Sequence, residues 1–317
     1  MKIIHISLLA LVLACPLSAT KYAGEIFAFS PGVQNQAMGN TGLTFAGSNA
    51  SGWWNPALLA LPGASSVELM RSDFFEGLLT QNQINLQIGS TTRNSISINH
   101  LAIDKIKLTR LEDENAELSN SNRPYVWKTV TNQDLVLYGG FARKLNDRLA
   151  IGLAPKLAYR SLAENSGFGF GADLGAYWEL GKGWAAGMNF RDFFSTQIIW
   201  ESGEHELAMP NLDLELGYAF QVLKYNIPVQ VAVRTQAYPE ERGEASTIST
   251  AGLSADLHAG VMVSPIPMLR LMGGYDTDSF TTGIGVAIKA LGVDYAFRSN
   301  SADGLGFTQK ISLSYQW

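Results

Sequence analysis

Strict alternation of apolar and polar residues, sustained over ten residues or more, is the feature that most limits what this chain can become. In residues 149–160 one parity reads Leu149, Ile151, Leu153, Pro155, Leu157, Tyr159, and the other Ala150, Gly152, Ala154, Lys156, Ala158, Arg160. Residues 167–180 set Phe168, Phe170, Ala172, Leu174, Ala176, Trp178 and Leu180 against Gly167, Gly169, Gly171, Asp173, Gly175, Tyr177 and Glu179. Residues 211–222 repeat the pattern, with Leu212, Leu214, Leu216, Tyr218, Phe220 and Val222 on the apolar parity. Successive side chains of a strand point to opposite faces, so period two means strands with one greasy and one polar side. Globular strands usually run about five or six residues, whereas about ten are needed to cross a bilayer at barrel tilt. Pro155 removes one ladder hydrogen bond and is a local weakness in its strand.

About fourteen such segments are legible: 67–75, 84–90, 95–103, 135–145, 149–161, 167–180, 184–194, 212–222, 228–238, 253–264, 269–276, 280–290, 292–298 and 306–317. Their connections tend to alternate between short and long. The short set is 91–94, 146–147, 181–183, 222–227, 265–267 and 290–292; the other set includes 104–134, 195–211 and 239–252, which are long and polar, and 299–305. Two of that other set, 162–166 and 277–279, are also short. Outer-membrane barrels have short periplasmic turns and longer external loops, a rhythm a soluble sandwich has no reason to keep. The last segment closes on Tyr315 and Trp317, with Phe307, Gln309, Ile311 and Leu313 on the same parity. A terminal aromatic on an alternating strand resembles the insertion signal of outer-membrane barrels, in which Phe is more usual than Trp. The expected fold is all-β: a transmembrane antiparallel β-barrel of about fourteen strands over residues 67–317.

Composition agrees. Only 16% of the 317 residues are charged and 31 are Gly, against about 25% charged in a soluble domain. No internal run reaches the ~18 apolar residues of a membrane helix. The net charge of −5 argues against nucleic acid as a partner. Lys2, the apolar stretch 6–14 and the small residues Ser18 and Ala19 read as a secretory signal peptide over residues 1–19. Its removal takes away Cys15, the single Cys, and leaves an exported chain without a thiol. The lipoprotein-like run Val12-Leu13-Ala14-Cys15 is weakened by Pro16. The expected location is the outer membrane of a Gram-negative-type cell, with lipid and the barrel-assembly machinery as partners.

If the apolar parity faces lipid, the polar parity lines the bore. It holds the acids Asp173, Glu179, Asp213, Glu215, Asp256, Asp276 and Asp294. It also holds the bases Lys156, Arg160, Arg191, Arg234, Arg270, Lys289, Arg298 and Lys310. Gly and Ala fill many of the remaining positions. The signs nearly cancel, which suits a salt-bridged, hydrated interior or a polar conduit and gives no charge-selective ring.

Residues 20–66 lack alternation and crowd Gly and Asn at 32, 39, 40, 42, 47, 49 and 52, as sharp turns require. Asn55 followed by Pro56 reads as a helix cap and first position. About 45 residues bury little core alone, so the expected place of this segment is inside the barrel mouth, as a plug. Residues 37–61 resemble the N-terminal motif of FadL-like outer-membrane proteins, through Met38, Gly39, Asn40, Ser51, Trp54, Asn55, Pro56, Ala57 and Leu58. Ser48-Asn49 stands where that family has an acidic pair. Residues 293–317 are similar to the closing segment of the PorV/PorQ group within it. The resemblance implies a fourteen-stranded barrel with an N-terminal hatch. For the PorV/PorQ branch it implies a part in type IX secretion, with secretion-system components and exported proteins as partners. For the FadL branch it implies passage of hydrophobic small molecules.

An enzyme is not expected. Past the leader only His100, His205 and His258 remain, no Gly-x-Ser-x-Gly occurs, and His258 beside Asp256 on one parity reads as a hydrogen-bonder of the bore. Asn55-Pro56-Ala57 also occurs in aquaporins, which need spanning helices that are missing here. Asp276-Thr277-Asp278 lacks the Gly and distal Glu of a calcium loop and reads as a solvated turn. Residues 111–114 read as exposed, and no Cys or His cluster supports zinc. No cofactor is expected.

Overall fold

The computed structural model describes residues 24–163, 165–222, 224–299 and 304–317. The signal peptide inferred at 1–19 lies outside them. Seventeen strands occur among the described residues. In chain order they are β1 Ser66–Phe74, β2 Leu79–Ile88, β3 Asn94–Leu111, β4 Pro124–Lys144, β5 Leu149–Leu162 and β6 Asn165–Gly181. Then come β7 Trp184–Arg191, β8 Gln197–Trp200, β9 His205–Leu207, β10 Asn211–Val222, β11 Ile227–Tyr238 and β12 Ile248–Thr250. The chain finishes with β13 Leu253–Ile266, β14 Leu269–Asp276, β15 Ser279–Ile288, β16 Leu291–Arg298 and β17 Thr308–Gln316. Fourteen of them form one antiparallel cycle. β8, β9 and β12 are short hairpin pieces laid on β6 and β13. β17 pairs with β1, Leu313 opposite Leu69, and closes the cylinder, so no barrel edge is left unpaired.

The alternation resolves as expected. Leu153, Leu157, Phe168, Leu174, Leu214, Leu216, Ile311 and Leu313 are exposed on the outside, while Lys156, Asp173, Asp213 and Lys310 are buried within. Ten residues at about 3.3 Å each, tilted by about 40°, rise roughly 25 Å, the height of the apolar band of a membrane barrel. Aromatic pairs gather near both strand ends. At the turn end Trp184 stacks on Tyr218 at 4.5 Å and Tyr315 on Trp317 at 5.9 Å. At the loop end Tyr159 meets Phe168 at 5.1 Å and Tyr275 meets Phe280 at 5.6 Å. These form the two girdles that a bilayer's interfaces favour. Pro155 sits where the β4–β5 ladder skips Gly139-Gly140 opposite Ala154-Pro155; the register on either side is kept.

Three expectations about the loops need correction. The stretch 104–134 is mostly strand: β3 and β4 run on as an 18- and a 21-residue pair beyond the barrel, leaving 112–123 as the loop. Its polarity marks exposure on both faces, not absence of structure. The stretch 195–211 is not simply a polar loop, because β8 folds inward and buries Ile198 and Trp200. Asp276 is no solvated turn residue: it ends β14 inside the barrel, 2.9 Å from His258 Nδ1 and 3.0 Å from Arg298 Nε.

Candidate functional site

The segment from Gly24 to Ser65 lies inside the cylinder. It begins against Ala208 in the loop-end hairpin and leaves at the turn end, where Gly63 N donates to Ser90 O at 2.9 Å and Trp317 N to Ser65 O at 3.0 Å. It is built of single helical turns, Glu25–Ala28, Val33–Ala37 and Ser51–Trp54, and a 3-10 turn, Pro56–Ala60. Asn55 caps that last turn, its side chain accepting from Ala57 N at 3.1 Å while its amide donates to Leu43 O at 2.8 Å and to the wall at Ala176 O at 2.9 Å. This explains the pairing of Asn with Pro read from sequence.

Inward glycines let the segment touch the wall. A Cβ on Gly260 would lie 2.1 Å from Met38 O, one on Gly274 2.3 Å from Gly39 N, and one on Gly187 2.5 Å from Leu43 O. Gly39 itself has φ +67, a conformation that suits Gly. The small residues read from sequence as mere filling of the bore are thus the seats of the internal segment.

Polar groups of the wall then clamp it. Glu215 Oε2 accepts from Gly42 N at 2.7 Å, and Oε1 from Thr44 N at 2.8 Å and Thr44 Oγ1 at 2.6 Å. Asp294 accepts from Gln34 Nε2 at 3.0 Å, and Asp276 from Asn40 Nδ2 at 2.7 Å. Arg234 donates to Asn40 O at 2.6 Å, and Asn189 to Trp54 O at 2.9 Å. Lys310 donates to Ser30 O. Met38 and Trp54 are buried; Trp54 Nε1 donates to Pro31 O at 2.8 Å and Ser51 Oγ to Ser48 O at 2.7 Å. The motif residues Met38, Gly39, Asn40, Ser51, Trp54, Asn55, Pro56 and Ala57 therefore all lie in the internal segment.

The bore residues pair with each other. Asp213 sits between Arg191 (2.6 Å) and Arg234 (2.9 Å), and Lys156 between Asp173 (2.8 Å) and Asp192 (2.5 Å). Arg160 pairs with Asp134 at 2.8 Å, Arg242 with Asp256 at 2.6 Å, and Arg270 with Asp294 at 3.0 Å. Not among the bore residues read from sequence are Asp134, which ends the connection 104–134, Asp192, which lies within the segment 184–194, and Glu68, which accepts from Asn49 Nδ2 at 3.2 Å and Asn85 Nδ2 at 3.1 Å. Glu179 and Lys289 have the inward parity but stand exposed near the turn end.

The bore is not polar throughout. Phe74, Leu79, Leu101, Val136 and Tyr138 of β1–β4 pack against Ile26, Phe27, Trp53 and Trp54 of the internal segment and against Ile198 and Trp200. Beside this apolar body, at the loop end, lies a cavity of about 450 Å³. Phe27, Trp53, Trp54, Met209 and Tyr238 supply one part of its lining; Lys156, Arg191, Arg234, Arg242 and His258 supply another. Burial opposes the charge of Arg242, but Tyr238, Asp256 and Glu240 lift its pKa above the ordinary guanidinium value, so it stays cationic. Burial pushes the Glu25 carboxyl at the cavity's edge above the usual carboxylate range, with Arg160 working the other way. Among the described residues no cluster of His, Cys, Asp and Glu is arranged to hold a metal ion.

Solved structures share this architecture. The toluene transporter TodX of P. putida matches with a TM-score of 0.57 at 13% identity, covering 91% of this chain and 99% of its own. The Ralstonia pickettii toluene transporter TbuX matches at 0.54 and 14% identity, over 90% of this chain and 98% of its own. The monoaromatic hydrocarbon channel CymD matches at 0.53 and 12% identity, over 90% and 97%. The chain has the fold of these proteins, a closed fourteen-stranded antiparallel barrel. No protein-family model matches it, and no curated protein is similar to it in sequence.

Proposed function

We propose that this chain is a non-enzymatic outer-membrane channel for small hydrophobic compounds, held closed by the internal segment 24–65 as a plug. The observation that carries the reading is the apolar body between plug and wall beneath the loop-end cavity. The cavity's Phe27–Trp53–Trp54 side gives a ligand a place against that body, and a plug seated by hydrogen bonds rather than covalently can yield to it. The toluene transporters TodX and TbuX and the monoaromatic hydrocarbon channel CymD share the fold and support a channel over a secretion role. In this reading residues 1–19 direct export, Tyr315 and Trp317 serve recognition by the barrel-assembly machinery, and the short turns face the periplasm. The test is entry of the hydrophobic dye N-phenylnaphthylamine into lipopolysaccharide-bearing liposomes. Liposomes carrying the protein take up dye faster than empty ones, with saturation; equal rates refute the proposal.

The PorV/PorQ reading keeps one support, the likeness of residues 293–317 to that group's closing segment. It predicts co-purification with secretion components and loss of surface protein export on deletion of the gene.

A further inference from the structure

We infer that the loop-end cavity takes a small aromatic anion, a single ring bearing a carboxylate, in preference to a neutral hydrocarbon. The inference rests on the channel reading above and narrows its substrate class. Each aromatic ring of the lining already carries a cation of the protein over one face. Arg191 lies 3.9 Å over Trp53, Arg242 4.1 Å over Tyr238, Lys156 4.4 Å over Phe27 and Arg234 5.2 Å over Trp54. A cationic ligand would find those faces taken. Of the acids that pair with these cations, Asp173, Asp213 and Asp256 are buried and absent from the cavity's lining, and only Asp192 reaches it. Among the lining acids, Asp192 is engaged by Lys156 at 2.5 Å and by Thr196, Glu25 has its charge disfavoured by burial, and Glu240, in the loop after β11, acts on Arg242 alone of the four cations.

One buried donor also lacks a partner. Arg191 is 5% exposed and its Nη2 has no acceptor among the described residues. A buried polar group without a partner is costly, and a ligand oxygen that reached it would remove that cost. A neutral hydrocarbon would strip water from the cations of the lining and return no bond. An aromatic carboxylate lays its ring on the Phe27–Trp53–Trp54 side and its charge toward Arg191 and Arg242. The volume of about 450 Å³ falls in the range of small-molecule sites.

The mature chain in detergent micelles is titrated with benzoate and, separately, with toluene, following tryptophan fluorescence and heat. Benzoate binds saturably and about tenfold or more tighter than toluene, as expected when a charge partner is added. Arg242→Gln, at the half-buried mouth, weakens benzoate about fivefold or more and leaves toluene unchanged; Arg191→Lys, which keeps the charge but not the fork, weakens benzoate likewise. Toluene binding as tightly as benzoate, or Arg242→Gln weakening both alike, overturns the inference. Uptake of labelled benzoate by proteoliposomes separates the two readings. Binding without uptake refutes the channel and leaves the ligand class standing; dye uptake without benzoate binding does the reverse.

Discussion

Glu215→Gln is the sharpest perturbation of the plug. The carboxylate is 4% exposed and takes three hydrogen bonds from the internal segment, at 2.7, 2.8 and 2.6 Å. Hydrogen bonds to a charged group are each worth roughly 1.5–3 kcal/mol. Gln fills the same volume but offers one oxygen. In its best orientation the oxygen keeps Thr44 N and Oγ1 as neutral bonds, about half as strong, and the amide N–H group confronts Gly42 N, whose bond is lost. The expected loss of docking is about 3 kcal/mol, which at 1.4 kcal/mol per decade raises the undocked population by roughly 100-fold. Native-state hydrogen exchange reads this directly. Amides of the peptide containing Gly42 and Thr44 should exchange about 100-fold faster, while those of β10, whose ladder bonds to β7 and β11 are backbone only, keep their rates. An acceleration below about fivefold, or equal loosening of β10, would refute the clamp.

Other substitutions address the wall, the bore and the lipid face. Gly260→Val places a side chain on Met38 O, where even a Cβ would sit at 2.1 Å, whereas the neighbourhood of Gly273 is open to 3.8 Å. The first should cost about 1–3 kcal/mol or more and the second under about 0.5 kcal/mol, read as thermal midpoints in detergent. Asp213→Asn leaves Arg191 and Arg234 without their shared buried carboxylate, a loss of about 3–5 kcal/mol in denaturant midpoint analysis. Leu216→Arg puts a charge on the apolar outer face of β10 and should lower folding stability in lipid by about 2–4 kcal/mol if near the midplane. Leu216→Val should be close to neutral by comparison.

The wall is largely legible in the sequence because its physics is one-dimensional: period two, strand length and turn rhythm are all local. The fourteen segments read from sequence correspond to the fourteen wall strands. What stayed hidden depends on contacts between distant parts of the chain. Nothing local says that Gly260 and Gly274 face Met38 and Gly39, or that Glu215 is a clamp rather than a hydrated acid of the bore. The apolar interior was missed because Phe74, Leu79, Leu101 and Ile198 sit near strand ends or in a hairpin read as loop, where parity cannot tell inside from outside. The overlong β3 and β4 were missed because a ribbon projecting into water has no greasy side to alternate with.

The account stands on which parity meets lipid. Cys15 is the only Cys of the chain, so a mature chain cleaved after residue 19 carries single introduced Cys residues cleanly. Spin labels placed in turn at positions 213, 214, 215 and 216 of β10, in lipid vesicles, report access to oxygen and to a water-soluble nickel complex. The account predicts high oxygen access at 214 and 216 and little of either reagent at 213 and 215. Nickel access at 214 and 216 equal to that of a water-exposed loop label would contradict it.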